Sequence, residues 1–363
     1  MMARSSPIVG AARGRGAKSN HSGRFESLQR EDFDDGWTER DGEPVKLETT
    51  LHVMKSKTII TRNDSPDIGF DQSINPYVGC ENGCIYCYAR PAHAYVGFSP
   101  GLDFESQLFF KPEAAKLLEK ELSRKGYRPS PIHIGGNTDP YQPIERTLRI
   151  TRQLIEVLDR FNHPFSIITK NAMIVRDLDL YTRLAARNLV RTAVSVTTLD
   201  RKLARAMEPR AATPQRRLDA IRQLTEAGVP CAVSVAPIIP GLNDHEIEAI
   251  LERAAEAGAT GAHYTALRLP LEIKDLFREW LQTERPDRAA RVMSLVRQMR
   301  GGKDYDAEWG ARMRGQGPIA LLMAARFKTA RRRLGLERAR SSLDVGMFRV
   351  PSKAGDQIDL FGS

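Results

Sequence analysis

Cysteine is scarce in this chain, four in 363 residues, and three of the four crowd into eight positions. That pattern is a poor match to a disulfide framework, which belongs to small secreted domains with evenly used cysteines. Long apolar runs are missing as well. No stretch approaches the ~18 apolar residues of a membrane span, and the opening MMARSSPIVGAARGRGAKSN lacks the apolar core of a secretory signal. Aromatic residues make up 7% of the chain, too few for a long platform that stacks single-stranded bases. Acids are outnumbered, 45 against 55 Lys and Arg, and the net charge of +10 favours an acidic partner. Together these absences predict a soluble, cytoplasmic chain with no membrane partner, kept under reducing conditions and long enough for one large core plus tails.

What is present is concentrated at residues 75–90, NPYVGCENGCIYCYAR. Cys80, Cys84 and Cys87 stand in CxxxCxxC spacing, with Tyr86 just before the third. Three thiolates on one short loop can wrap a metal centre and leave it one ligand short. A 4Fe-4S cluster ordinarily takes four cysteines, so three leave one iron open to a small molecule, and an open metal position is a reactive one. The competing reading is a structural zinc with His93 as fourth ligand, in a non-catalytic nucleic-acid-binding protein whose basic segments are its function. Zinc spacings usually come as two separated pairs, and no second pair is present. Cys231 stands alone, too few for a second cluster, and reads as an inert core residue opening a strand.

Taken in order, residues 1–50 are rich in Gly, Arg, Ser and charge and read as a mostly disordered leader, basic over 1–24 and acidic over 26–48. A core domain is expected over 51–270, a helical extension over 271–340 and a tail over 341–363. Strands are expected at 72–77, 132–136, 165–169, 190–197, 231–237 and 262–269, alternating with helices at 112–124, 145–162, 176–187, 214–228 and 244–257. A further helix is expected just after the cysteines. Six βα units predict an α/β fold, a partial (β/α)6 barrel with flanking C-terminal helices, the alternative being an open doubly wound sheet. In both, ligands gather at the C-terminal ends of the strands. Arg326, Lys328, Arg331, Arg332, Arg333, Arg338 and Arg340 crowd one segment, either as a phosphate footprint or as solvated helix faces.

The strings GCENGCIYCYARPAHAY, GGNTDPYQPIE, ITKNAMIVRDLDL, SVTTLD, MEPRAATPQRRLDAI and VAPIIPGLND resemble the radical S-adenosylmethionine (SAM) superfamily, and within it the spore photoproduct lyase-like group called DNA repair photolyase-like. The resemblance covers roughly residues 72–269. It implies a 4Fe-4S cluster on Cys80, Cys84 and Cys87 and reductive cleavage of SAM to a 5′-deoxyadenosyl radical that takes a hydrogen atom from its substrate. A flavodoxin- or ferredoxin-like electron donor is implied as a partner, with a nucleic acid as a candidate substrate. By the same resemblance Gly135, Gly136 and Asn137 match the Gly-Gly-Glu-like segment that binds the SAM amino group, with Asn137 departing from the usual acid. Thr138 and Asp139 continue that loop, Lys170 pairs with the SAM carboxylate, and Ser195, Thr197 and Thr198 reach the ribose. Residues 235–239 support the adenine, and Tyr86 packs near cluster and adenine. Glu208 and Arg268 face the same rim, Arg268 towards the SAM carboxylate or a substrate phosphate. Spore photoproduct lyase also uses an extra cysteine as hydrogen-atom donor, for which this chain offers only Cys231.

Overall fold

Apolar residues at every second position between 165 and 235 call for strands buried on one face. The structure, a computed structural model that describes residues 14–26, 47–337 and 342–352, forms them. The strands in chain order are β1 (Thr50–Val53), β2 (Ile60–Arg62), β3 (Gln72–Ile74), β4 (Tyr77–Val78), β5 (Gln107–Phe110), β6 (Ile132–Ile134), β7 (Phe165–Thr169), β8 (Val190–Ser195), β9 (Cys231–Ile238) and β10 (Gly261–Ala266). Seven of them make one sheet in the order β10-β9-β8-β7-β6-β3-β2. Within it β3 and β6 to β10 run parallel, each beside its predecessor. Right-handed crossovers that always step the same way place the connecting helices on one face. A doubly wound sheet needs its order to reverse at a switch point, and none occurs. The fold is therefore a curled, mainly parallel α/β sheet of partial-barrel type. β2 pairs antiparallel with β3 and covers that edge.

Alternation explains which face is which. Val190, Val194, Cys231, Val233 and Val235 are buried in the main core. There they meet helices such as Pro214–Glu226, which buries Pro214, Leu218, Ile221 and Leu224 along one stripe. The intervening residues Ser166, Ala193, Ser195, Ala232 and Ser234 turn to the concave side. Their small side chains leave room inside the curl.

Several expectations shift in the structure. The strand expected at 72–77 is cut at Asn75-Pro76, because proline has no N–H for the ladder; β4 instead joins β5 and β1 in a separate three-stranded sheet. The helix after the cysteines is a 3-10 helix, Arg90–Val96. The helix expected at 145–162 is two pieces, because Arg149 takes a left-handed φ of 52° and the Glu145 carboxylate accepts from the N–H of Thr151 at the new start. Arg201–Met207 is an additional helix, capped by Asp200. Within the leader, residues 14–26 are docked, with Arg15, Ala17 and Ser19 nearly fully buried; the rest of 1–46 lies outside the described residues. Beyond 270, helices Ile273–Glu284, Pro286–Gln298 and Gly317–Arg333 flank the sheet. Phe277 and Trp280 share a second apolar cluster with Cys84, Ile85 and Tyr86, so this extension packs on the cysteine loop itself.

One buried histidine ties stability to pH. His163, fully buried, lies 2.9 Å from the Pro164 carbonyl through Nδ1 and 2.9 Å from the Tyr127 hydroxyl through Nε2, with Phe348 edge-on at 5.5 Å. Burial lowers its pKa from the ordinary 6.5 to about 4, the Pro164 contact opposing. The unfolded chain takes up this proton below 6.5 and the folded chain refuses it down to about 4. The site's contribution is therefore whole above 6.5 and is lost as pH falls towards 4, roughly 3 kcal/mol in all. Denaturation midpoints measured across that window should fall less steeply in His163→Gln than in the wild type; equal slopes contradict the assignment.

Candidate metal and cofactor site

The loop after β4 turns tightly, and each cysteine carbonyl accepts from the backbone N–H three residues on: Gly83 to Cys80 at 3.3 Å, Cys87 to Cys84 at 3.2 Å, Arg90 to Cys87 at 3.2 Å. Gly83, at φ 66°, is required here, since a Cβ would stand 2.6 Å from the Glu105 carboxylate. Cys80 and Cys84 are buried and Cys87 half-buried. Burial pushes the Cys80 and Cys84 thiols well up, with Asp139 adding at Cys80 and Glu208 at Cys84, and raises Cys87. Thiolates at these positions therefore depend on a cationic centre to balance them.

Arg90 fixes the loop from behind. Its five N–H donors meet five acceptors: the carbonyls of Cys84 (2.9 Å), Gly83 (3.1 Å), Pro100 (3.0 Å) and Gly101 (2.9 Å), and Glu105 Oε1 (2.5 Å). Both Arg90 and Glu105 are fully buried.

The loop after β6 clasps the cysteines from another side. The Thr138 hydroxyl donates to the Gly79 carbonyl at 2.8 Å, and Gln142 Oε1 accepts from the N–H of Glu81 at 2.8 Å. Asp139 accepts four hydrogen bonds, from Asn82 Nδ2 (2.9 Å), Thr169 Oγ1 (2.6 Å) and the N–H groups of Tyr141 (2.9 Å) and Lys170 (2.8 Å). Its carboxylate thereby joins the cysteine loop to the ends of β6 and β7. Gly136 gives its carbonyl to the Tyr88 hydroxyl, while Asn137 is exposed and donates its N–H to Asn75 Oδ1 at 2.8 Å.

Beyond β8 a second buried pair does similar work. Glu208 accepts from the Tyr86 hydroxyl, from Thr197 Oγ1 at 2.6 Å and from Arg217, whose Nε donates to the Ala212 carbonyl at 2.7 Å and Nη1 to the Ser195 carbonyl at 3.2 Å. Burial pushes the Glu208 carboxyl up and Arg217 opposes it. Tyr86 is thus held under Lys170, whose ammonium lies 5.7 Å from the ring centroid. Arg268 lies over the half-exposed Tyr88, 5.2 Å from its ring, and reaches Met313 Sδ at 3.3 Å. Neither Lys170 nor Arg268 has a carboxylate at ion-pair distance among the described residues.

The expected site residues thus gather on one rim, but in two roles. Lys170 presents a free charge. Asp139, Thr138 and Thr197 are engaged by protein partners, and Ser195, 3% exposed, is covered; these shape the rim rather than face a ligand. Thr198 is bonded to Glu246. His93 is fully buried among Phe98, Phe104 and Phe109, and burial lowers its pKa to about 4. No three His, Cys, Asp or Glu side chains among the described residues converge as one zinc ion requires. The donor set on the loop is three thiols with no imidazole, since His93 is enclosed by rings, and such a set suits a thiolate-held iron–sulfur cluster. Cys231 sits in the main core with its thiol pushed up to about 12 by burial, away from the rim. Sequence reasoning missed Arg90, Glu105, Gln142 and Arg217. The one available signal was charge set inside apolar surroundings, as at YCYARP and DFESQLFF.

Comparison with known proteins places this geometry. The profile of the radical SAM superfamily matches residues 74–254. An uncharacterised protein of Mycobacterium tuberculosis is 36% identical over 251 residues, 68% of this chain and 74% of its own. A radical SAM Nalpha-GlyT isomerase of Pseudomonas phage M6 is 25% identical over 186 residues, 50% of this chain and 36% of that protein. A double mutant of spore photoproduct lyase, solved with bound AdoMet and dinucleoside spore photoproduct, shares the fold with a TM-score of 0.54 at 16% identity, over 80% of this chain and 79% of that one.

Replacing Arg90 by Met takes this donor from the buried carbonyls of Gly83, Pro100 and Gly101, leaves the Cys84 carbonyl with the Cys87 N–H alone, and leaves Glu105 buried without its counter-charge. Chemical denaturation of the iron-free protein should show a loss of about 3–5 kcal/mol; a loss below about 1 kcal/mol would mean that the pair does not brace the loop.

Proposed function

The chain belongs to the radical SAM superfamily, and from that premise we propose that Cys80, Cys84 and Cys87 hold a 4Fe-4S cluster with SAM at its open iron. When bound, the pair supplies a 5′-deoxyadenosyl radical for hydrogen abstraction, given one electron from a flavodoxin- or ferredoxin-like donor. The observation that carries this reading is the rim itself: three thiols on one braced loop, two buried and one half-buried, beside an ammonium with no acid partner among the described residues.

The chain's own residues bind and orient. Lys170 offers a point charge to the SAM carboxylate, from a position set by Asp139, which holds its backbone N–H. Backbone groups of Gly135, Gly136 and Asn137 offer acceptors to the amino group. Tyr86, fixed by Glu208, presents an aromatic face between cluster and adenine. Asp139, Thr138, Ser195 and Thr197 act by positioning these groups. The buried Arg90, Glu105 and Glu208 leave little space for water behind the loop.

For the substrate we propose a nucleic acid, met by Arg268 and Tyr88 at the open rim. A guanidinium with no acid partner among the described residues, beside an exposed aromatic, suits a phosphate and a base. The basic helix near the C-terminus supports this less than its composition suggested. Arg326 pairs with Glu248 at 2.5 Å and Arg333 with Glu252 at 2.5 Å, and Arg331 Nε donates to the Leu336 carbonyl at 3.1 Å. Arg338 and Arg340 lie outside the described residues. No helix among the described residues is long and apolar enough to cross a membrane.

Anaerobic reconstitution with iron and sulfide, reduction, and electron paramagnetic resonance with and without SAM test the reading. A reduced-cluster signal that shifts on adding SAM, with 5′-deoxyadenosine formed, is expected. Cys84→Ala should abolish the signal, and Lys170→Ala should keep the signal while weakening SAM binding roughly ten- to hundredfold. A colourless protein holding zinc overturns the reading.

A further inference from the structure

The segment Gly14 to Asn20, GRGAKSN, reads as part of a disordered basic arm, yet it lies directly on the cysteine loop. A Cβ on Gly16 would stand 1.9 Å from the Gly83 carbonyl oxygen, so only glycine allows this approach. The N–H groups of Gly16 and Ala17 both donate to the Glu105 carboxylate, each at 2.8 Å. That is the same carboxylate that neutralises Arg90, whose guanidinium grips the carbonyls of Gly83 and Cys84. Ala17, 1% exposed, packs in one apolar cluster with Cys84, Ile85 and Tyr86.

Both ends of the segment are pinned. Arg15 donates to the Glu105 carbonyl at 2.5 Å, the Leu47 carbonyl at 2.8 Å and Thr49 Oγ1 at 3.0 Å. Lys18 pairs with Glu284 at 2.7 Å, and the Ser19 hydroxyl donates to Glu279 at 2.6 Å, both on helix Ile273–Glu284. Asn20 Nδ2 donates to Asp103 at 2.8 Å, and its Oδ1 accepts from the N–H of Asp103 at 2.9 Å. The segment bridges the cysteine loop and the C-terminal helices.

We infer that residues 15–20 are a strap that holds the cysteine loop in shape and closes its outer side to water and oxygen, with Glu105 as the positioning residue between strap and loop. Opening the strap removes two hydrogen bonds from a buried carboxylate and uncovers the backbone of Gly83 and Cys84. A bound cluster would then meet oxygen through a local opening, at a rate set by the open fraction. The oxygen readout of this inference rests on the cluster reading; its proteolysis readout does not.

The full chain is compared with Gly16→Val, which forces the strap off Gly83; with Lys18→Glu, which sets like charges against Glu284; and with Gly69→Ala, a control whose Cβ meets nothing within 4 Å. In the iron-free proteins, trypsin cleavage after Arg15, the strap site that both variants keep, followed by mass spectrometry, should rise at least about tenfold in both strap variants. In the reconstituted proteins, the visible absorption should bleach in air at least about tenfold faster in the same two. The control should match the wild type in both. If Gly16→Val does not fold, Lys18→Glu decides. If wild type and strap variants are cleaved at equal rates, there is no strap. Faster cleavage with unchanged bleaching overturns the protective role. A wild type that takes up no iron overturns the cluster reading instead, and trypsin alone then decides the strap.

Discussion

The buried ion pair of Arg90 and Glu105 is the constraint on which the cysteine loop depends. Two charges taken out of water cost more than their attraction returns unless the remaining donors and acceptors are met. Here each donor of the guanidinium has an acceptor, four of them carbonyls, two of which belong to the cysteine loop, and the carboxylate has two further backbone donors. The pair therefore acts as a mould that fixes where the cysteine backbone runs. Its arrangement also explains why so polar a centre can sit in a region otherwise filled by Ile85, Phe277 and Trp280.

The rim is built by two more carboxylates used in the same way. Asp139 ties the loop after β6 to the start of the loop after β7, and Glu208 ties Tyr86 to Thr197 at the end of β8. Each acid takes its hydrogen bonds from separate elements, so the ends of β6, β7 and β8 and the cysteine loop are held in one frame. A frame of this kind leaves the free charges, Lys170 and Arg268, as the groups able to respond to a ligand. That division between positioning acids and free cations is the main chemical fact of the site.

Charge elsewhere is more balanced than composition suggests. The net +10 invites a picture of a basic arm and a basic helix gripping a polyanion. On the helix Gly317–Arg333 two of the arginines face Glu248 and Glu252 across to helix Ile247–Glu256, so they serve as packing between helices. Arg15 and Lys18 of the leader are likewise turned into the protein.

The sequence alone determined the three clustered cysteines, the six parallel strands and Lys170 at a strand end, because spacing along the chain and two-residue alternation are local properties. It misjudged the continuity of elements where a single residue intervenes, as at Pro76 and Arg149, since the partner that makes the break tolerable lies elsewhere in the chain. Only the tertiary structure decided that Asp139, Thr138 and Thr197 position rather than present themselves, that His93 is caged by aromatics, and that a glycine-rich leader closes on the cysteine loop. Those are matters of which acceptor meets which donor across separations such as the 89 residues between Gly16 and Glu105, and no local pattern encodes that pairing.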